Sequence, residues 1–471
     1  MVEILPQQPG HAADPAAKPD FAKTLVVDVA STPSLQHNLT ASISLGSAEE
    51  QYITYKIRWF GLIILTLLNV MVSWSWLTFS PVASNAAQFY GVDESMVNWF
   101  SSIFVFANFA MTAITIKLLD RGLRPTLFTG SLLLLIGNWI RYAGSFSSTE
   151  STVIVVCIAQ ALLGMSQSLV LSAPTRFSET WFTSSGRVAA TAVMSLANPA
   201  GAAVAQVVVP FWINDPGDVS SMVLYVAIIA SAVAIPGLFI LDAPPTPPAP
   251  SARTDRLAIQ QSLRILITSV EFYLIVLPFW AFSGLFIGAT SPINQIVSPY
   301  GYSDTEAGIG GGLLIVLGLI FSGITAPVVD RTKKYLLIVK SGVVLGALSY
   351  LALIWVPTSR DIGALYALLG VLGIASLTIV PVTLEVLAEI SYPAGAEITS
   401  TVAWAGGQLL GGCFILLGNV MKAGADADVP YNMKDFTIFQ AILAISLAPL
   451  PLSLGMFGRG DRVRLRRTQV E

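Results

Sequence analysis

Twelve apolar runs of about 20 residues leave this chain few ways to fold. They are centred near residues 69, 107, 135, 162, 200, 232, 282, 316, 346, 376, 408 and 446. A helix of that length crosses a hydrocarbon core of ~30 Å, and lipid offers no partner to a free backbone N–H or C=O, so each run must be helical. Only 11% of the residues are charged, against roughly 25% in a soluble domain. The sequence therefore predicts an all-α membrane protein of twelve transmembrane helices.

The runs repeat. Asp120, Arg121 and Arg124 recur 210 positions later as Asp330, Arg331 and Lys334. The same offset pairs Glu179 with Glu389, Asn198 with Gln408, and Gly201 with Gly411. A parallel repeat of this kind is a duplicated six-helix unit, the plan of a two-bundle carrier that rocks about a central site. The expected layout is one bundle over 56–242 and a second over 262–458. Between them lies a Pro-rich cytoplasmic linker, 243–261, which proline keeps from becoming helical. Residues 1–55 read as a disordered cytoplasmic tail and 459–471 as a basic one.

Basic residues orient the chain. Of 25 lysines and arginines, only Arg141, Arg360, Lys422 and Lys434 fall opposite the face holding both termini. That bias makes both termini cytoplasmic. The expected protein is a multi-pass monomer of the plasma membrane, with the bilayer and a small solute as its partners and no nucleic acid. Cys157 and Cys413 lie within apolar runs, and His11 and His37 within the amino-terminal tail. No metal site, cofactor or membrane-embedded enzyme centre is expected from such a set.

Polar and aromatic residues inside the runs carry the functional reading. Gln160 and Gln167, seven apart, share one face of the fourth helix, and Gln408 sits among glycines in the eleventh. Trp74 and Trp76 occupy the middle of the first, away from the interfacial belt, whereas Trp99, Trp139, Trp181 and Trp355 read as interface anchors. The offset places Phe286 opposite Trp76. Paired aromatic faces with neutral amides suit a cation or a flat ligand. No carboxylate falls at mid-bilayer, which favours facilitated diffusion over proton coupling; Glu385 is the candidate if coupling exists. Pro81, Pro199, Pro292 and Pro381 mark expected kinks.

The Asp-Arg turn resembles the Gly-x-x-x-Asp-Arg-x-Gly-Arg-Arg loop of the major facilitator superfamily, with Ile116 at the first glycine and Pro125 in the basic end. The resemblance implies the major facilitator fold of two pseudo-symmetric bundles. It also implies an inner latch at Asp120, Arg121, Asp330 and Arg331; a purely topogenic charge cluster is the alternative. A narrower set comprises Trp76, Phe89-Tyr90-Gly91-Val92, Gln167, Asn294-Gln295, Gln408, and Pro381 with Glu385, Glu389, Tyr392 and Pro393. It resembles the feline leukaemia virus subgroup C receptor-related transporters over residues 56–458. That resemblance implies a small cargo such as choline, ethanolamine or haem. It further implies a cavity built from Trp76, Gln167, Gln408 and a seventh-helix aromatic, for which the register offers Phe286 or, with the aromatic missing, Ile287. A proton-coupled efflux carrier of metabolites or drugs and a non-transporting receptor or scaffold are the alternatives.

Overall fold

The computed structural model describes residues 53–146, 150–246, 258–332, 334–391 and 393–453. The amino-terminal tail through 52 with His11 and His37, most of the Pro-rich linker and the basic tail lie outside the described residues.

The first half comprises α1 (Ile57–Leu77), a 3-10 turn (Ser80–Val82), α2 (Ala83–Tyr90), α3 (Glu94–Arg121), α4 (Leu123–Ala143), α5 (Glu150–Leu171), α6 (Ala173–Trp181), α7 (Ser184–Phe211) and α8 (Asp218–Gly237). The second comprises α9 (Ile259–Thr268), α10 (Val270–Thr290), α11 (Ile293–Val297), α12 (Asp304–Thr332), α13 (Tyr335–Ala352), α14 (Ile362–Ile390), α15 (Ala396–Val420), α16 (Lys434–Leu447) and α17 (Pro449–Ser453). The described residues contain no strand. Among the described residues, eleven helices are long and apolar enough to cross a membrane. The twelfth long helix, α4, falls short because Arg124, Asn138 and Arg141 interrupt its apolar run, yet it packs against α5 and α8 as its counterpart α13 packs against α14 and α16.

Local chemistry sets several boundaries. Ser269 caps α10 by accepting from the Phe272 N–H at 3.2 Å, and Asp361 caps α14 by accepting from Gly363 N at 2.8 Å and Ala364 N at 3.3 Å. Gly122 turns the chain between α3 and α4 at φ +153°, where a side chain would also collide with the Asp242 carboxylate. Pro199 and Pro381 lie inside α7 and α14. Pro81 and Pro292 fall instead in the short segments that follow α1 and α10, so the first and seventh spans break there.

The repeat seen in the sequence is a repeat of packing. α1 pairs with α7 as α10 pairs with α15, and α3 with α5 as α12 with α14. A Cβ on Gly201 would come within 2.0 Å of the Val70 carbonyl on α1, and one on Gly411 within 2.6 Å of Ile287 on α10. Gly164 and Gly373 do the same for the other pair, meeting the carbonyls of Phe104 and Leu314. Those carbonyls are 210 positions apart, and the two glycines 209. Small residues let helix backbones touch at these crossings.

The two halves meet where α3 packs on α15 and α7 on α12. Ile63, Ile154, Ile228, Ile324 and Leu348 stand more than half exposed on the outside. In water such a surface would aggregate; here it is the surface that faces lipid. Trp99, Trp139 and Trp355 are exposed as interface anchors should be. Trp181 is not: it is buried and stacks on Phe177 at 6.1 Å, because α6 folds back beneath α1 instead of reaching the surface.

Candidate solute site and the seam beyond it

The end of the molecule bearing Lys117, Arg121 and Arg124 is called the basic end, and the opposite one the far end. Between them lies a group of buried polar atoms without protein partners. Trp76, on α1, is buried and stacks on Phe104 of α3, with ring centroids 6.5 Å apart and planes 26° from parallel. Its indole Nε1 donates to nothing. Phe104 is also where α5 makes its closest approach, at Gly164. Gln160 and Gln167 lie one turn to either side of that glycine on the same face of α5, as their spacing requires. Both are buried; neither amide atom of Gln160 has a partner, nor does Gln167 Oε1.

Asn108, one turn from Phe104 on α3, adds a buried Nδ2 without an acceptor. A lone amide in an apolar run carries no periodic signal, so its role is not legible in the sequence. Its spacing of four from Phe104 was the one clue available. An unsatisfied buried polar group costs roughly 1–3 kcal/mol. Several at one helix junction form a set that a solute's own donors and acceptors can satisfy.

The structure brings Trp76 and the Gln167 turn together, but places Gln408 differently. Gln408 is buried on α15, with Oε1 unpartnered, one turn before Gly412. Gly412 packs on Phe106 of α3. Phe104 and Phe106 point to opposite sides of α3, so Gln408 approaches from across that helix. Of the two seventh-helix residues, Ile287 is buried against Gly411 in the α10–α15 interface. Phe286 is half-buried, and the ring that stacks on Trp76 is Phe104, not Phe286. Trp280, which sequence reasoning also missed, lies against Gly406 with its Nε1 unpartnered. Trp74 stacks on Trp212 at 5.8 Å.

At the basic end, Asp120 and Arg121 are exposed at the close of α3. Asp330 and Arg331 occupy the last turn of α12, and their side chains lie outside the described residues. The carboxylate that engages a helix start there is Asp242, accepting from Arg124 N at 3.0 Å. Glu385 is exposed near the basic end of α14, and Glu389, one turn on, is buried.

At the far end a polar seam joins the halves. Asn98 Nδ2 donates to Gln295 Oε1 at 2.8 Å, and Gln295 Nε2 returns a bond to Asn98 Oδ1 at 3.1 Å. Asn98 also donates to Asn419 Oδ1, and Asn419 to the Ser95 carbonyl. Asn294 Nδ2 donates to the Pro81 carbonyl at 2.9 Å, and Asn85 Nδ2 to Asp304 at 3.2 Å. Gln206 Nε2 reaches the Thr290 carbonyl at 3.0 Å. Ser80 shares hydroxyl contacts with Ser101 and Ser291. Lys422 closes the edge with an ion pair to Glu94 at 2.7 Å. Asn294 and Gln295, part of the family resemblance, hold hydrogen bonds at this seam.

Two repeated helical halves, with uncharged aromatic and amide groups buried between the ends and a polar seam joining them, are the architecture of a transmembrane solute transporter. Residues 64–415 match the profile of the Major Facilitator Superfamily, and the chain belongs to that superfamily. Solute carrier family 49 member A3 of Xenopus tropicalis is 30% identical over 400 residues, which cover 83% of this chain and 82% of the relative. Choline/ethanolamine transporter FLVCR1 of Felis catus is 26% identical over 392 residues, covering 79% and 69%. The solved inward open conformation of the xylose transporter XylE from E. coli superposes with a TM-score of 0.62 at 15% identity, covering 88% of this chain and 99% of that one, a likeness of fold. The protein is a multi-pass membrane transporter of a small solute, not an enzyme.

Proposed function

We propose that the protein is a facilitative carrier of a small organic cation or amino alcohol of the choline and ethanolamine kind. The observation that carries this reading is the uncharged site: Trp76, Gln160, Gln167 and Asn108 offer indole and amide groups at the α1–α3–α5 junction, and Gln408 joins them when the halves move. An aromatic face attracts an ammonium without the cost of a buried carboxylate, and amides take a hydroxyl. The relative named as a choline/ethanolamine transporter supports the same class. Half-buried Phe286 supplies the second aromatic wall when the halves move.

In this reading the bundles are 56–242 and 262–458, both termini are cytoplasmic, the protein works as a monomer in the plasma membrane, and the basic end faces the cytoplasm. The seam then closes the outer side. Asp120, Arg121, Asp330 and Arg331 form the inner latch in the opposite state, and Glu385 takes no part in coupling.

Uptake of labelled choline and ethanolamine into proteoliposomes tests the proposal, with and without an imposed pH gradient. Saturable uptake down the solute gradient alone is expected, abolished by Trp76→Ala with the protein still correctly inserted. Uptake that requires a proton gradient and is lost in Glu385→Gln would overturn the facilitative assignment. Absence of saturable uptake of both compounds would overturn the solute class.

A further inference from the structure

Arg141 is the largest fully buried side chain among the described residues and has no carboxylate among its described partners. It lies two residues from the far end of α4, where a basic residue would be expected to reach water. Instead the guanidinium turns inward. Nη1 donates to the Ser75 carbonyl at 2.9 Å and to Thr78 Oγ1 at 3.1 Å, and Nη2 to Asn138 Oδ1 at 2.7 Å. The Phe79 ring covers it, 5.6 Å from the guanidinium carbon.

Every one of these partners except Asn138 belongs to the end of α1. That helix stops at Leu77, so the Ser75 carbonyl falls in the last turn, where the helix backbone supplies no donor and the Thr78 hydroxyl reaches it only at 3.3 Å. The break continues through the 3-10 turn at Pro81. A cation beside a helix carboxyl terminus is favoured by the helix dipole, and the two-armed guanidinium can hold carbonyl and hydroxyl at once. Arg141 thus supplies, with the Thr78 hydroxyl, the hydrogen bonding that α1 forfeits by breaking. The broken segment faces two ways. One turn back lies Trp76, and beyond the break the Pro81 carbonyl accepts from Asn294 and Ser80 meets Ser291, both across the seam.

We propose that Arg141 is a positioning residue for the transport cycle: it holds the broken end of α1 so that the Pro81 carbonyl is presented to Asn294 and the far-end seam can close. The proposal rests on reading that seam as the outer gate, and is independent of the solute. A charge kept inside a membrane protein at such cost is retained for what it organises.

The test uses the full-length chain with Cys157 and Cys413 replaced by alanine and with Glu94→Cys and Lys422→Cys across the seam. Disulfide formation between the pair on addition of a copper–phenanthroline oxidant, normalised to folded, monodisperse protein, reports seam closure. In this parent the cross-link should form readily. Arg141→Met should lower its rate roughly tenfold, the scale of losing a charged hydrogen bond, and Arg141→Lys should restore part of it. Thr78→Val removes one acceptor and leaves the arginine in place, so it should show a smaller loss in the same direction. If Arg141→Met does not fold, Thr78→Val and Arg141→Lys decide the matter. A parent that cross-links while every folded variant does so at the same rate overturns the positioning role. A parent that does not cross-link overturns the seam, and the proposal with it.

Discussion

Replacing Asn98 by alanine should open the far end. The Asn98 amide makes two reciprocal bonds to Gln295 and a third to Asn419, so Asn98→Ala removes three contacts between the halves. At about 1 kcal/mol net each they would total about 3 kcal/mol. Water entering the gap recovers part of that, leaving a shift of about 2 kcal/mol, or roughly 30-fold in the ratio of closed to open forms. A seam that is closed at ~100:1 would fall to ~3:1, raising the open form from about 1% to about a quarter of molecules. Spin labels on Gln88 and Thr358, exposed on the far end of opposite halves, would report this by double electron–electron resonance. One distance is expected in the parent and a second, longer one of substantial amplitude in Asn98→Ala. The reasoning fails if the variant is monodisperse and its distance distribution is unchanged.

Other substitutions probe the frame around the site. Gly164→Ala and Gly373→Ala each force a methyl group against a backbone carbonyl, so each should cost about 1–3 kcal/mol in thermal unfolding. Gly217→Ala, with nothing near its added methyl, should leave the transition within the scatter of the parent; equal effects at all three would contradict the close-crossing account. Glu94→Lys should populate the long spin-label distance, and Glu94→Lys with Lys422→Glu should reverse that, unless the ion pair is incidental to closure. Asp242→Ala removes the acceptor for Arg124 N at the start of α4 and should lower stability by about 1 kcal/mol, measured by the same melts.

What could be read from the sequence follows from what lipid and duplication force on it. A 20-residue apolar run has no alternative to a helix, so the long helices stand where the runs predicted. The offset that aligned Gly201 with Gly411 proved to align the same crossing in both halves, because neither the Val70 carbonyl nor the Ile287 side chain leaves room for a Cβ. The site was less legible. Gln160 and Gln167 were found by helical spacing, but the partner of Trp76 is Phe104 on a neighbouring helix, and no period within α1 or α10 announces a crossing between α1 and α3. The seam was hidden for a similar reason: Asn98 and Asn419 stand 321 positions apart, each a single amide in an apolar setting. Arg141 was counted with the loops of the outer face, since a basic residue near the end of an apolar run ordinarily ends in water. Its burial depends on the break of α1, which creates free carbonyls that only the folded bundle reveals.

The glycine crossings also bear on how such a carrier could change its cargo. Where backbone rests on backbone, the spacing of helices is set without help from any bulky group, and each half behaves as a stiff casting. Side chains such as Trp76, Gln160 and Asn108, which leave polar atoms unengaged, contribute little to that stiffness. If the proposed site holds the solute, they can be exchanged for others of similar volume while the moving parts keep their shape, so a new specificity is reachable by a few substitutions at the α1–α3–α5 junction, with the machinery of motion left untouched.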